Sequence, residues 1–94
     1  MALTPKTKQF LKAKAHSLKP VVQIGQHGLT EAVHKAINEA LRTHELIKIH
    51  IAGVDREAKR AMVARICQIN KAEQVSIIGN VGIIYRKNVK KKRS

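Results

Sequence analysis

Aromatic residues are almost missing: the 94 residues hold one Phe, one Tyr and no Trp. A single-stranded nucleic-acid binder that stacks bases on several rings is thereby excluded. Cysteine is as scarce, and Cys67 alone excludes a disulfide framework and any multi-cysteine zinc site. No apolar run approaches the roughly 20 residues of a membrane span. The opening MALTPKTKQF has no apolar signal core, so an intracellular, cytoplasmic protein is expected. Acidic residues number 6 against 19 Lys and Arg, a formal net charge of +13. With 44% hydrophobic residues and two Pro, the chain is too apolar for a disordered polycation. Its length fits one domain.

The charge is concentrated at the two ends. Residues 1–20 hold five Lys and no acid, and residues 86–94 (RKNVKKKRS) hold six basic residues and no acid. Residues 21–85 carry eight basic and six acidic residues, a nearly balanced +2. A domain spanning 1–86 with a basic tail at 87–94, too charged to fold alone, is expected to meet a polyanion.

Thr4-Pro5 starts a helix, with Leu11, Ala15 and Leu18 as its apolar stripe. It must stop before Lys19-Pro20. Val21 to Ile24 reads as a buried strand ending at Gly25. After the turn Gly25-Gln26-His27-Gly28, Thr30 caps a second helix with apolar spacing at Val33, Ala36, Ile37, Ala40, Leu41 and His44. Ile47, Ile49 and Ile51 alternate with Lys48 and His50, so residues 46–51 form a strand with one wet face. Asp55 caps a third helix whose inner face is Ala58, Met62, Ile66 and Ile69. Two strands, Gln74 to Ile78 and Ile83 to Arg86, flank a hairpin connection at Gly79-Asn80-Val81-Gly82. The order α-β-α-β-α-β-β predicts a two-layer α/β fold with a mixed four-stranded sheet.

The chemical signal is the Gly25–Gly28 turn. Terminal glycines let a ligand backbone come close, and the following helix offers its N–H groups to an anion. GxxG loops clamp nucleic-acid backbone in KH modules, although strand-to-helix turns also use glycine for shape alone. The five histidines have no metal-binding spacing, and no acid pair or nucleophile motif appears. A non-enzyme without metal, cofactor or small-molecule substrate is expected. The first helix lacks the bulky anchors of a membrane-surface helix, Phe10 excepted.

Ala15-His16, Leu18-Lys19-Pro20-Val21-Val22, Gly25 with Gly28-Leu29-Thr30, and His44 through Lys48 resemble the CRM domain family (chloroplast RNA splicing and ribosome maturation). Asp55-Arg56-Glu57 and Ile84-Tyr85-Arg86 match as well, and the bacterial stand-alone YhbY-like members are the nearest in pattern. The resemblance implies a fold related to the C-terminal domain of a bacterial translation initiation factor. It also implies RNA binding, with bacterial members acting on precursors of the large ribosomal subunit. Its GxxG loop corresponds to Gly25, Gln26, His27 and Gly28, whose inner residues are not cationic here. The weight of charge therefore shifts to Lys8, Lys12 and Lys19 and to Arg86, Lys87, Lys90, Lys91, Lys92 and Arg93. The expected function is an RNA-binding protein of large-subunit assembly, with ribosomal RNA or pre-ribosomal particles as partner. Residence in the mature ribosome and general basic nucleic-acid binding are the alternatives.

Overall fold

The computed structural model describes residues 3–25 and 28–87. Seven elements follow in the expected order: α1 (Pro5–Ala15), β1 (Val22–Ile24), α2 (Glu31–His44), β2 (Leu46–Ile51), α3 (Arg56–Asn70), β3 (Glu73–Ile78) and β4 (Val81–Tyr85). The mixed four-stranded sheet runs β1-β2-β4-β3. β1 pairs parallel with β2, and β4 pairs antiparallel with both β2 and β3. All three helices start at the caps read from sequence. Thr4, Thr30 and Asp55 accept the backbone N–H of Thr7, Val33 and Ala58 respectively.

Strand parity assigns the two faces of the sheet. Ile47, Ile49 and Ile51 of β2 pack with Ile84, Ile37, Leu41, Val63 and Ile66 beneath α2 and α3. Leu46, Val75 and Ile83 point the other way and pack with Leu11 and Ala15 of α1. α1 thus adds a partial third layer to the expected two, lying on the face opposite α2 and α3. A bulge between Gln74 and Ser76 sets Val75 toward α1 while leaving Ile77 on the α3 side.

Several local expectations shift. α1 ends at Ala15 because the His16 N–H turns back to the Ala13 carbonyl, which leaves Leu18 outside the stripe and exposed. Val21 is exposed, and β1 is an edge strand burying only Val22 and Ile24, with Gln23 outside. On α2, Ala36 and His44 are exposed while Ile37 and Leu41 are fully buried. On α3 the buried stripe is Val63, Ile66 and Asn70, so Ile69 faces solvent. Lys48 and His50 are half-buried rather than wet, since α1 partly roofs their face.

The hairpin is tighter than expected. Its turn is Gly79-Asn80 alone, with glycine at φ +57 in the first turn position, as II′ turns require. Gly82 belongs to β4, opposite Ile49 and Ile77. A Cβ there would lie 3.1 Å from Val63 Cγ2, so this glycine lets α3 sit close on the sheet. β4 ends at Tyr85, and Arg86 lies just beyond it.

Candidate nucleic-acid interface

The register sorts every loop to one end of the sheet or the other. Ile24, Ile51, Val81 and Ile78 close one end, because Ile24 pairs with Ile51 and Val81 with His50 and Ile78. From that end emerge residues 25–30, residues 52–55 and the Gly79-Asn80 turn, together with the starts of α2 and α3. Hydrogen bonds stitch this rim: Ile51 N to the Asn80 carbonyl at 2.7 Å, and Ala52 N to the Ile24 carbonyl at 3.3 Å. The carboxyl ends of parallel strands are where α/β sheets commonly receive ligands.

Gly28 has φ +70, and its N–H donates to the Gly25 carbonyl at 3.1 Å. The backbone therefore favours glycine there, and glycine is also permissive to an approaching ligand. Gly25 differs. Its φ is not left-handed, and among the described residues a Cβ built on it meets nothing within 4 Å. The fold gives no reason for glycine at this position. At the α2 start, Thr30 takes the Val33 N–H and Glu31 places a carboxylate in the first turn, which weakens the pull on a phosphate. Gln26 and His27 lie outside the described residues, as do Lys90, Lys91, Lys92 and Arg93.

Among the described residues the expected cations do not form one patch around this loop. Lys8 and Lys12 are exposed on α1, where they line a groove with Val75 and Ser76 of β3, the edge strand farthest from β1. Lys19 is exposed and precedes β1, at the strand end away from the loop. Lys87 is exposed at the far end of the sheet, where β4 leaves it. That end lies about 17 Å from the rim, by the rise of six residues of β2.

Arg86 is committed inside the fold. Its Nη1 donates to Asn38 Oδ1 at 2.9 Å and to the Asn70 carbonyl at 3.1 Å, and Nη2 donates to the Asn38 carbonyl at 3.2 Å. Its own N–H reaches the Glu45 carbonyl at 2.8 Å. One half-buried guanidinium thus ties α2, the end of α3 and the end of β4 together, and its geometry is that of a structural clamp.

The near-neutral charge of the domain body hid a cluster that the sequence reading did not single out. Arg56, Lys59 and Arg60 line one groove on the α3 face of β3. The signal was present in their i, i+3, i+4 spacing, which puts all three on one side of a helix. Elsewhere, burial and the nearby Glu73 carboxylate push the Cys67 thiol up to about 11, so it is protonated and a poor nucleophile at neutral pH. Among the described residues no three His, Cys, Asp or Glu side chains gather as a metal site would need. No helix among them is long and apolar enough to cross a membrane.

The sequence profile of the CRS1/YhbY (CRM) domain matches residues 3–86. This chain belongs to that family. The CRM domain here is 50% identical over 84 residues to a Haemophilus influenzae protein named RNA-binding protein, covering 89% of this chain and 85% of that one. It is 40% identical over 90 residues to a Pseudomonas aeruginosa protein named "Probable RNA-binding protein", covering 96% and 86% respectively. Among solved structures it matches the solution structure of a hypothetical Staphylococcus aureus protein. The TM-score is 0.84 at 33% identity, over 96% of this chain and 94% of that one. The family profile spans the Gly25–Gly28 loop and ends at Arg86.

Proposed function

We propose that this CRM domain is a non-catalytic, cytoplasmic RNA-binding protein that acts on precursor ribosomal RNA during large-subunit assembly. Gly25 carries the reading. It is a glycine that neither backbone angle nor packing explains, at the mouth of a GxxG loop on a chain of charge +13. A bare backbone at that point serves a partner that must approach to contact distance, and the charge makes that partner a polyanion. The names of the relatives, RNA-binding in both cases, support the same class of partner. With one Phe and one Tyr, recognition rests on backbone and shape rather than on stacked bases.

In this mechanism the RNA strand is held against residues 25–28, Gln26 and His27 included. Lys8, Lys12, Lys19, Lys87 and the tail cations Lys90, Lys91, Lys92 and Arg93 neutralise phosphates on either side. The experiment is a Gly25→Val variant compared with the parent. Melting temperature should stay within about 2 °C, because the added side chain enters open space. Affinity for a ribosomal RNA hairpin should fall at least about tenfold, about 1.4 kcal/mol. A folded Gly25→Val protein that binds RNA like the parent would sink the loop reading. In cells, the tagged parent should sediment with large-subunit precursors and wash off in high salt. Sedimentation only with finished subunits would favour residence in the mature ribosome.

A further inference from the structure

The groove formed by Arg56, Lys59 and Arg60 belongs to no part of the loop mechanism. It runs against Ser76, Ile77 and Gly79, and no acid lines it. The Lys59 ammonium is fixed in place by the Gly79 carbonyl at 3.0 Å and Asn80 Oδ1 at 2.7 Å. Both acceptors are neutral, so the group is held in position with its charge uncompensated. The carboxylate of Asp55 is occupied by the Ala58 N–H at 2.8 Å. Arg56 stands at the first position of α3, where the helix dipole disfavours a cation. Lys59 ties α3 to the hairpin turn, whereas among the described residues no side-chain hydrogen bond or ion pair accounts for the charges of Arg56 and Arg60.

The same strand is flanked by cations on its other face. Lys6, Lys8 and Lys12 of α1 line a second groove with Val75 and Ser76, again without an acid. Ser76 borders both grooves, and β3 is the outer strand of the sheet. Its outward backbone edge therefore lies between two cationic rows. Charges on an edge strand discourage sheet-to-sheet pairing, yet either sign serves that purpose. Rows of a single sign on both faces fit a polyanion.

We propose that the β3 edge is a second RNA contact, in which Arg56, Lys59 and Arg60 from one face and the α1 lysines from the other grip a phosphate backbone. It rests on the reading of this domain as RNA-binding and shares Lys8 and Lys12 with the loop mechanism, whereas Arg56, Lys59 and Arg60 take no part in that mechanism. The loop lies at the β1 edge, three strand spacings away, or about 14 Å, so one RNA reaches both.

The test is an Arg56→Ala/Arg60→Ala double variant beside a charge-matched Lys35→Ala/Arg65→Ala control, all four residues being exposed. Affinity for a fluorescein-labelled ribosomal RNA hairpin is read by anisotropy across a salt series, with melting temperature measured on the same samples. The groove variant should melt like the parent, bind about tenfold more weakly, and lose about 1.5–2 from the slope of log affinity against log salt. The control should keep most of both. A groove variant indistinguishable from the control overturns the proposal. If Gly25→Val weakens binding in the same assay, the RNA-binding reading survives that result. A parent with no affinity for the hairpin overturns both.

Discussion

The two ends of the sheet meet one backbone demand in opposite ways. Among the described residues, the loop end places Gly28, Gly53 and Gly79 in the left-handed region, with φ of +70, +80 and +57. The opposite end places Glu45 and Lys71 there, with φ of 66 and 56. A residue with a Cβ is less stable in that region by about 1–2 kcal/mol, so left-handed geometry alone does not select glycine in this fold. What differs is the use made of side chains. At the far end they hold the molecule together: the Arg86 guanidinium joins Asn38 to Asn70, and its backbone joins Glu45. At the loop end Lys59 ties α3 to the Gly79-Asn80 turn, but Gly25 and Gly28 leave the backbone bare beside the start of α2. A bare rim suits close approach by another chain's backbone, and a laced end suits stability.

The sharpest way to break this contrast is Arg86→Ala. Hydrogen bonds to a charged donor contribute about 1.5–3 kcal/mol each; the three here share one guanidinium and are not additive, so their joint loss costs at least about 3 kcal/mol. The melting temperature should fall by more than about 10 °C, read by circular dichroism. RNA affinity of the protein that remains folded should not change. If the variant melts like the parent and binds RNA poorly, the clamp assignment is wrong and Arg86 is an RNA contact after all.

Gly28→Val comes next and probes the bare end. The side chain has space within the fold, so the cost is the strained φ alone, about 1–2 kcal/mol. Affinity for the RNA hairpin should fall by more than that destabilisation explains, and by more than removal of Lys8, an exposed single contact. Gly28→Ala shares the dihedral penalty but has less bulk. It should be more stable than Gly28→Val, since a β-branched residue fits positive φ worst, and should bind better by more than that difference in stability explains. Equal binding by the two would mean that bulk at the rim is irrelevant and that glycine serves the turn alone.

These contrasts show what the sequence could and could not make legible. Element order, the three N-caps and the family were readable, because Thr4, Thr30 and Asp55 act within three residues of themselves. Sheet order was not, since it depends on where β4 inserts between β2 and β3. Without that order, Lys8 and Lys12 seemed to flank the loop, whereas α1 packs on the opposite face toward the β3 edge. Arg86 likewise was counted with the RNA-contacting cations of the basic run 86–94. Only the fold brings Asn38, 48 positions away in sequence, to its guanidinium. Arg56, Lys59 and Arg60 were hidden for a related reason. Acids elsewhere on residues 21–85 balanced their charge in the count, but not in space.

The smallest effect is expected at Lys71, and it tests the comparison from the far end. Lys71 sits at φ 56, ψ 43 just after α3, and its N–H and that of Ala72 both return to the Cys67 carbonyl. That is the helix-terminating position where glycine is most favoured. Lys71→Gly removes the left-handed penalty, partly offset by the greater freedom glycine brings to the unfolded chain, for a net gain of about 0.5–1 kcal/mol. The melting temperature should rise by about 2–8 °C. The lost charge stands at the α3–β3 turn, outside the set of cations assigned to phosphates, so RNA affinity should change less than twofold. A stabilised Lys71→Gly protein whose affinity drops as far as that of the Arg56→Ala/Arg60→Ala variant would make the α3–β3 turn an RNA contact as well. Bareness at the loop end would then have to be explained by the turns themselves, because charge rather than access would decide where the polyanion lies.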